Sequence, residues 1–152
     1  MNSADTVCGI GQESLFIVDA SVVVRWLVQL PHHEEARNLL ARQNRLFAPD
    51  FLVAEVGSAF TKLVRANALS QTEGTECFDD FFRVPVRLLP ASPVAPRSMK
   101  LALKHGQSFY DCLYLAMAEA EGGQFATADG RFWNAMQGTC YGIIIHFIGS
   151  PD

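Results

Sequence analysis

A chain of 152 residues, 49% of them hydrophobic and 18% charged, can bury a core as one domain and is not an intrinsically disordered protein. Its net charge of −4 excludes nucleic-acid binding through bulk positive charge, so any such binding needs local basic patches or a metal. No apolar run approaches the roughly 18 residues of a membrane span.

Residues 1–14 lack the basic start and apolar centre of a signal peptide and are expected to form a flexible arm ahead of a domain over 15–148. The cysteines, Cys8, Cys77, Cys112 and Cys140, are scattered, with no C-x-x-C pair and no His at ligand spacing. They predict a reduced, cytoplasmic protein without disulfides or zinc. Leu15 to Val18 reads as a short buried strand that delivers Asp19 at its tip, and a helix follows from about Ser21. Taken alone, Asp19 is equally a helix cap and an acid at the strand-to-helix junction where α/β proteins bind ligands.

Pro31 breaks that helix, and His32 to Gln43 reads as a mostly polar helix with a stripe of Ala36, Leu39 and Leu40; His32 and His33 are expected in solvent. Leu46 to Ala48 is a strand closed by Pro49-Asp50. Asp50 is expected to cap a long helix reaching about Asn67 on an apolar stripe that includes Leu52, Val56 and Phe60. Glu55 borders that stripe, a costly place for an acid that is neither paired nor metal-bound. Ser70 to Glu73 is a capping box that opens a helix through Phe78, Phe81 and Phe82, with Asp79 and Asp80 outward. Val84 to Leu89, interrupted by Pro85, suits an edge strand. Pro90 to Pro96 leads into a helix over Ser98 to His105 that stops at Gly106. Asp111 is the one charge from Phe109 to Ala118, a stretch so apolar that it predicts a helix buried on most sides. After Gly122-Gly123, the strand Gln124 to Thr127 again ends in an acid, Asp129, followed by a helix over Arg131 to Met136; Tyr141 to Ile148 reads as the last strand.

Strands alternating with helices predict an α/β domain whose central sheet is mainly parallel, with about four to five short strands, and covered on both faces. In such a sheet Asp19 and Asp129 share one edge. Four weakly solvated acids, Asp19, Glu55, Asp111 and Asp129, would repel one another if gathered without compensation, and Mg²⁺ or Mn²⁺ resolves that conflict with oxygen ligands alone.

The ordered set Val18-Asp19-Ala20-Ser21, Pro49-Asp50 with Glu55-Val56, Tyr110 to Ala116, and Thr127-Ala128-Asp129 resembles the PIN-domain nucleases, specifically the VapC-type toxins of type II toxin–antitoxin pairs. The resemblance covers roughly Phe16 to Phe147 and implies a PIN-like α/β/α sandwich. It further implies a metal-dependent endoribonuclease in which Asp19, Glu55, Asp111 and Asp129 hold one or two Mg²⁺ or Mn²⁺ ions. Ser21 and Thr127 would orient carboxylates or water. RNA would be the substrate, and the partners implied are a second copy of the chain and a small antitoxin laid across the active-site groove. The chain departs from the pattern at Ser58, where many relatives have Asn but which keeps a hydrogen-bonding group to support the cluster, and after Asp129, where Gly130 and Arg131 replace a further acid or Asn. Those changes bear more on a second ion than on the first. Arg25, Lys100, Lys104 and Arg131 are candidate phosphate contacts that read equally as solvated surface cations. Two other readings stay open: a PIN-like RNA-binding or interaction module without catalysis, and another acid-cluster phosphoryl hydrolase.

Overall fold

The computed structural model describes residues 13–150; Cys8 and most of the expected arm lie outside them. Five strands form one all-parallel sheet: β1 (Ser14–Val18), β2 (Asn44–Pro49), β3 (Val86–Leu89), β4 (Gln124–Thr127) and β5 (Ile145–Phe147), in the order β3-β2-β1-β4-β5. The run that makes β1 apolar is buried on both faces, with Ile17 and Val18 fully enclosed, as expected for the middle strand of a parallel sheet. Expectation and structure agree that β3 is an edge strand.

The helices are α1 (Ala20–Leu27), α2 (His33–Asn38), α3 (Leu52–Arg65), α4 (Gln71–Phe81), α5 (Ala95–His105), α6 (Phe109–Glu121) and α7 (Gly130–Met136). From β1 the chain steps outward to β2 and β3, then returns past β1 to β4 and β5. Right-handed crossovers therefore put the two sets of connecting helices on opposite faces. Helix α6 lies across β1, β2 and β4 with α5 packed against it, whereas α1 packs on α2, α3 and α4. Residues Cys112 to Ala118 of α6 are buried, as their composition predicts. Gly122 closes α6 in the left-handed region, φ 69°, and Gly123 lets the chain pass tightly over β1: a Cβ there would stand 2.5 Å from the Leu15 carbonyl oxygen.

Several boundaries differ from expectation. Helix α2 ends at Asn38, because the chain then tightens through successive turns and the Asn44 side-chain amide donates to the Leu39 carbonyl. His32 and His33 are half-buried, not solvent-facing; His32 lies in the left-handed region (φ 67°) 3.6 Å from Glu35, and His33 Nδ1 is 3.2 Å from the Leu30 carbonyl. Asp50 does not cap α3, since its N–H still donates to Leu89 in the sheet, and Phe51 precedes the helix instead. Phe82 lies just beyond α4 and is exposed. Helix α5 begins at Ala95, with Pro96 in its first turn. The last strand shrinks to three residues, because Gly142–Ile144 coil into a 3-10 turn that leaves Ile143 81% exposed.

Candidate active site

The sheet order reverses between β1 and β4, and at such a switch point the carboxyl ends of two adjacent strands open into a crevice. Val18 pairs with Ala126, so Asp19, just past the end of β1, lies beside Thr127, the last residue of β4. Asp19 caps α1, its Oδ1 accepting the Val22 N–H at 3.2 Å, but the cap is only part of its environment. The Ser21 hydroxyl donates to Oδ1 at 2.5 Å and the Thr127 hydroxyl to Oδ2 at 2.5 Å. Those two hydroxyls accept in turn from the backbone N–H groups of Ala128 and Asp129. Both tips are thus tied to one carboxylate that is only 6% exposed.

The other acids come from separate elements. Glu55, in the first turn of α3, accepts from the Tyr114 hydroxyl at 2.8 Å through Oε2. Asp111 sits in the first turn of α6, which Ser108 caps. Asp129 caps α7, with Oδ1 accepting from Arg131 and Phe132. Burial raises the Asp19 carboxyl despite its hydroxyl donors, and the charge of Asp129 adds to the rise. Burial also raises Glu55, to which Asp19 contributes while Tyr114 and Lys62 pull the other way. Asp111 is pushed up to about 7, first by burial and then by the charges of Asp129, Asp19 and Glu55. All four carboxylates therefore share one electrostatic field.

Among the described residues, no three His, Cys, Asp or Glu side chains stand close enough to share one ion as they are oriented. The donor set nevertheless suits a hard divalent cation: four carboxylates, no thiolate or imidazole, and a mutual repulsion that the nearby Arg25 and Lys62 offset only in part. Glu55 Oε1 and Asp129 Oδ2 have no hydrogen-bond partner among the described residues and remain available as ligands.

A groove between α1 and α3 runs up to this cluster, lined by Ser21, Arg25, Glu55, Ser58, Lys62 and Leu63 among others. Ser58 lies exposed one turn beyond Glu55 and touches none of the acids. Arg25 is half-buried, donating to the carbonyls of Ser21 and Pro31 within the field of Asp19. Lys100 and Lys104 are exposed on α5, away from the groove, and Arg131 is exposed in the first turn of α7. Tyr114 was not singled out from the sequence, although a hydroxyl inside an otherwise apolar helix one turn after Asp111 is a readable signal. Its phenol, 1% exposed, is raised by burial and by Glu55, so it stays a donor.

With this geometry established, comparison with known proteins is decisive. The PIN domain model matches residues 16–135. The chain belongs to the PIN domain family. This PIN domain is 29% identical over 116 residues to Ribonuclease VapC3 of Pyrobaculum aerophilum, covering 74% of this chain and 88% of that protein. Among solved structures it resembles VapC20 of Mycobacterium tuberculosis, a Sarcin-Ricin loop cleaving toxin, with a TM-score of 0.59 at 19% identity over 79% of this chain and 94% of that one. It also resembles VapBC2 from Rickettsia felis bound to a promoter DNA fragment, with a TM-score of 0.56 at 16% identity over 80% and 92% of the two chains. Both likenesses are of fold. The observed architecture from β1 to α7 falls within the matched span, apart from the first two residues of β1 and the last of α7.

Proposed function

We propose that this PIN domain is an Mg²⁺- or Mn²⁺-dependent endoribonuclease, the toxin of a toxin–antitoxin pair, that hydrolyses RNA phosphodiester bonds and so restrains translation or growth. The observation that supports the reading is that Asp19 and Asp129 stand at the ends of β1 and β4, on either side of the switch point, with Glu55 and Asp111 within electrostatic reach of Asp19. Those four acids would hold the ion. Bound there, Mg²⁺ or Mn²⁺ supplies a water of lowered pKa and neutralises charge on the leaving oxygen. Ser21 and Thr127 fix both oxygens of Asp19, so its remaining lone pairs keep one direction. Arg25 and Lys62 supply positive charge along the groove for phosphates, and Val24, Ala59 and Leu63 supply apolar surface for bases. Arg131 and Lys104 are further phosphate contacts only for an RNA that extends beyond the groove. A segment of a cognate antitoxin laid in the groove would exclude RNA, and a second copy of the chain completes the expected assembly.

The test is cleavage of RNA with Mg²⁺ or Mn²⁺, with chelator, and with Asp19→Asn side by side. We expect cleavage that chelator abolishes and that Asp19→Asn lowers by about 100-fold, at the upper end of the roughly 10–100-fold lost when a partner that orients a ligand is removed. Cleavage that survives both treatments would sink the metal site. The competing module without catalysis draws support from Asp129, whose Oδ1 serves its own helix. It predicts RNA binding with no cleavage under any of these conditions.

A further inference from the structure

Tyr114 is the one hydroxyl in the buried run Cys112 to Ala118, and among the described residues its one hydrogen-bond partner is Glu55 Oε2, 59 positions away in sequence. Its ring is held on two sides: stacked on Phe125 with centroids 5.4 Å apart at 8°, and edge-on to Phe51 at 5.2 Å and 73°. The strand β4 that carries Phe125 also carries Thr127, which bonds Asp19, and α6 carries both Tyr114 and Asp111. The phenol is therefore locked between α6, which carries Asp111, and β4, whose end leads to Asp129 and whose Thr127 bonds Asp19. Glu55, by contrast, has a long side chain on a half-exposed helix face, with its own rotamers to lose on ordering. One of its oxygens is engaged and the other has no partner among the described residues.

We propose that Tyr114 is a positioning residue for Glu55: its hydroxyl, set by the packing of its ring, holds one carboxylate oxygen so that the other faces the acid cluster. This inference rests on the metal-dependent nuclease reading. It assigns the hydrogen bond to site geometry instead of simple satisfaction of a buried hydroxyl. A partner that orients a ligand in this way contributes about 10–100-fold to metal affinity or activity. It acts through Glu55 alone, so its effect must vanish when Glu55 cannot respond.

The experiment uses the full chain and four proteins: wild type, Tyr114→Phe, Glu55→Gln and the double variant. Mn²⁺ affinity is measured by electron paramagnetic resonance titration into the millimolar range, RNA cleavage gives kcat and KM, and thermal unfolding is followed without metal. Tyr114→Phe keeps both ring contacts, so its unfolding midpoint should stay within a few degrees of wild type. We expect it to weaken Mn²⁺ binding about 10-fold and to lower kcat with little change in KM for RNA. In the Glu55→Gln background the same substitution should change neither quantity further. Unaltered Mn²⁺ affinity and kcat in Tyr114→Phe overturn the inference. A loss of the same size in both backgrounds overturns it too, as does a loss that only parallels a fallen midpoint. If wild type binds no Mn²⁺, the nuclease reading falls and this inference falls with it. If wild type binds Mn²⁺ and Tyr114→Phe binds it equally well, only the inference falls.

Discussion

Asp111 carries the electrostatic cost of the site in a form that stability measurements can read. Its carboxyl titrates near 7 in the folded protein against 3.8 as an isolated group, because burial and three neighbouring acids disfavour its charge. Between those values the folded chain binds more protons than the unfolded one, so the stability contributed by this group is present at low pH and lost as pH rises through 7. The metal-free protein should therefore become easier to unfold in urea between pH 5 and pH 8, over and above other titrations, and Asp111→Asn should flatten that slope. A slope that Asp111→Asn leaves unchanged would mean that the acids do not share a field. Asp19 contrasts with it: its burial is deeper, but two hydroxyls and a backbone N–H offset part of the penalty. The acids themselves were legible from local signals, a charge at a strand tip or inside an apolar run. The Tyr114 hydroxyl is visible as the polar exception in its apolar run, but its partner is not, because the contact with Glu55 spans 59 residues.

Elements with strong local grammar were readable in the sequence, and those decided by tertiary contact were not. The capping box at Ser70 and Glu73 forms both of its reciprocal bonds. The apolar runs of β1 and β4 become strands, and Gly106 and Gly122 stop α5 and α6 in the left-handed region. By contrast, Asp50 looks like a cap until the β2–β3 ladder claims its N–H, and the stripe Leu39-Leu40 looks helical until Asn44 ends α2. Ile143 and Ile144 have the composition of a strand, yet β4 offers only three pairing positions to β5. Gly123 provides a test at this scale. A methyl there would press on the Leu15 side chain, which can turn aside, and on the Leu15 carbonyl oxygen at 2.5 Å, which the sheet holds in place. Gly123→Ala should cost about 2 kcal/mol, the usual scale of overpacking, measured as a lowered urea midpoint at unchanged slope. An unchanged midpoint would show that β1 and the end of α6 pack more loosely than described.

For the molecule as a whole, metal binding and folding should be linked, since an unfolded chain scatters the four acids. At about 100 times its dissociation constant, Mn²⁺ should stabilise the protein by about 2.7 kcal/mol, visible as a rise of several degrees in Tm. Asp19→Asn should abolish that rise. An equal rise in wild type and Asp19→Asn would place the ion elsewhere. No helix among the described residues is long and apolar enough to cross a membrane, so the burial of α6 is that of a protein interior. That burial has a consequence for control of the enzyme. Because α6 packs against the sheet on one side and α5 on the other, and brings Asp111 and Tyr114 in on consecutive turns, sliding or rotating it would unpack the interior. A regulator that worked by bending the catalytic frame would have to break the interior first. An inhibitor that left this interior intact would bind at the groove, and amide exchange along Cys112 to Ala118 should then be equally slow with and without it.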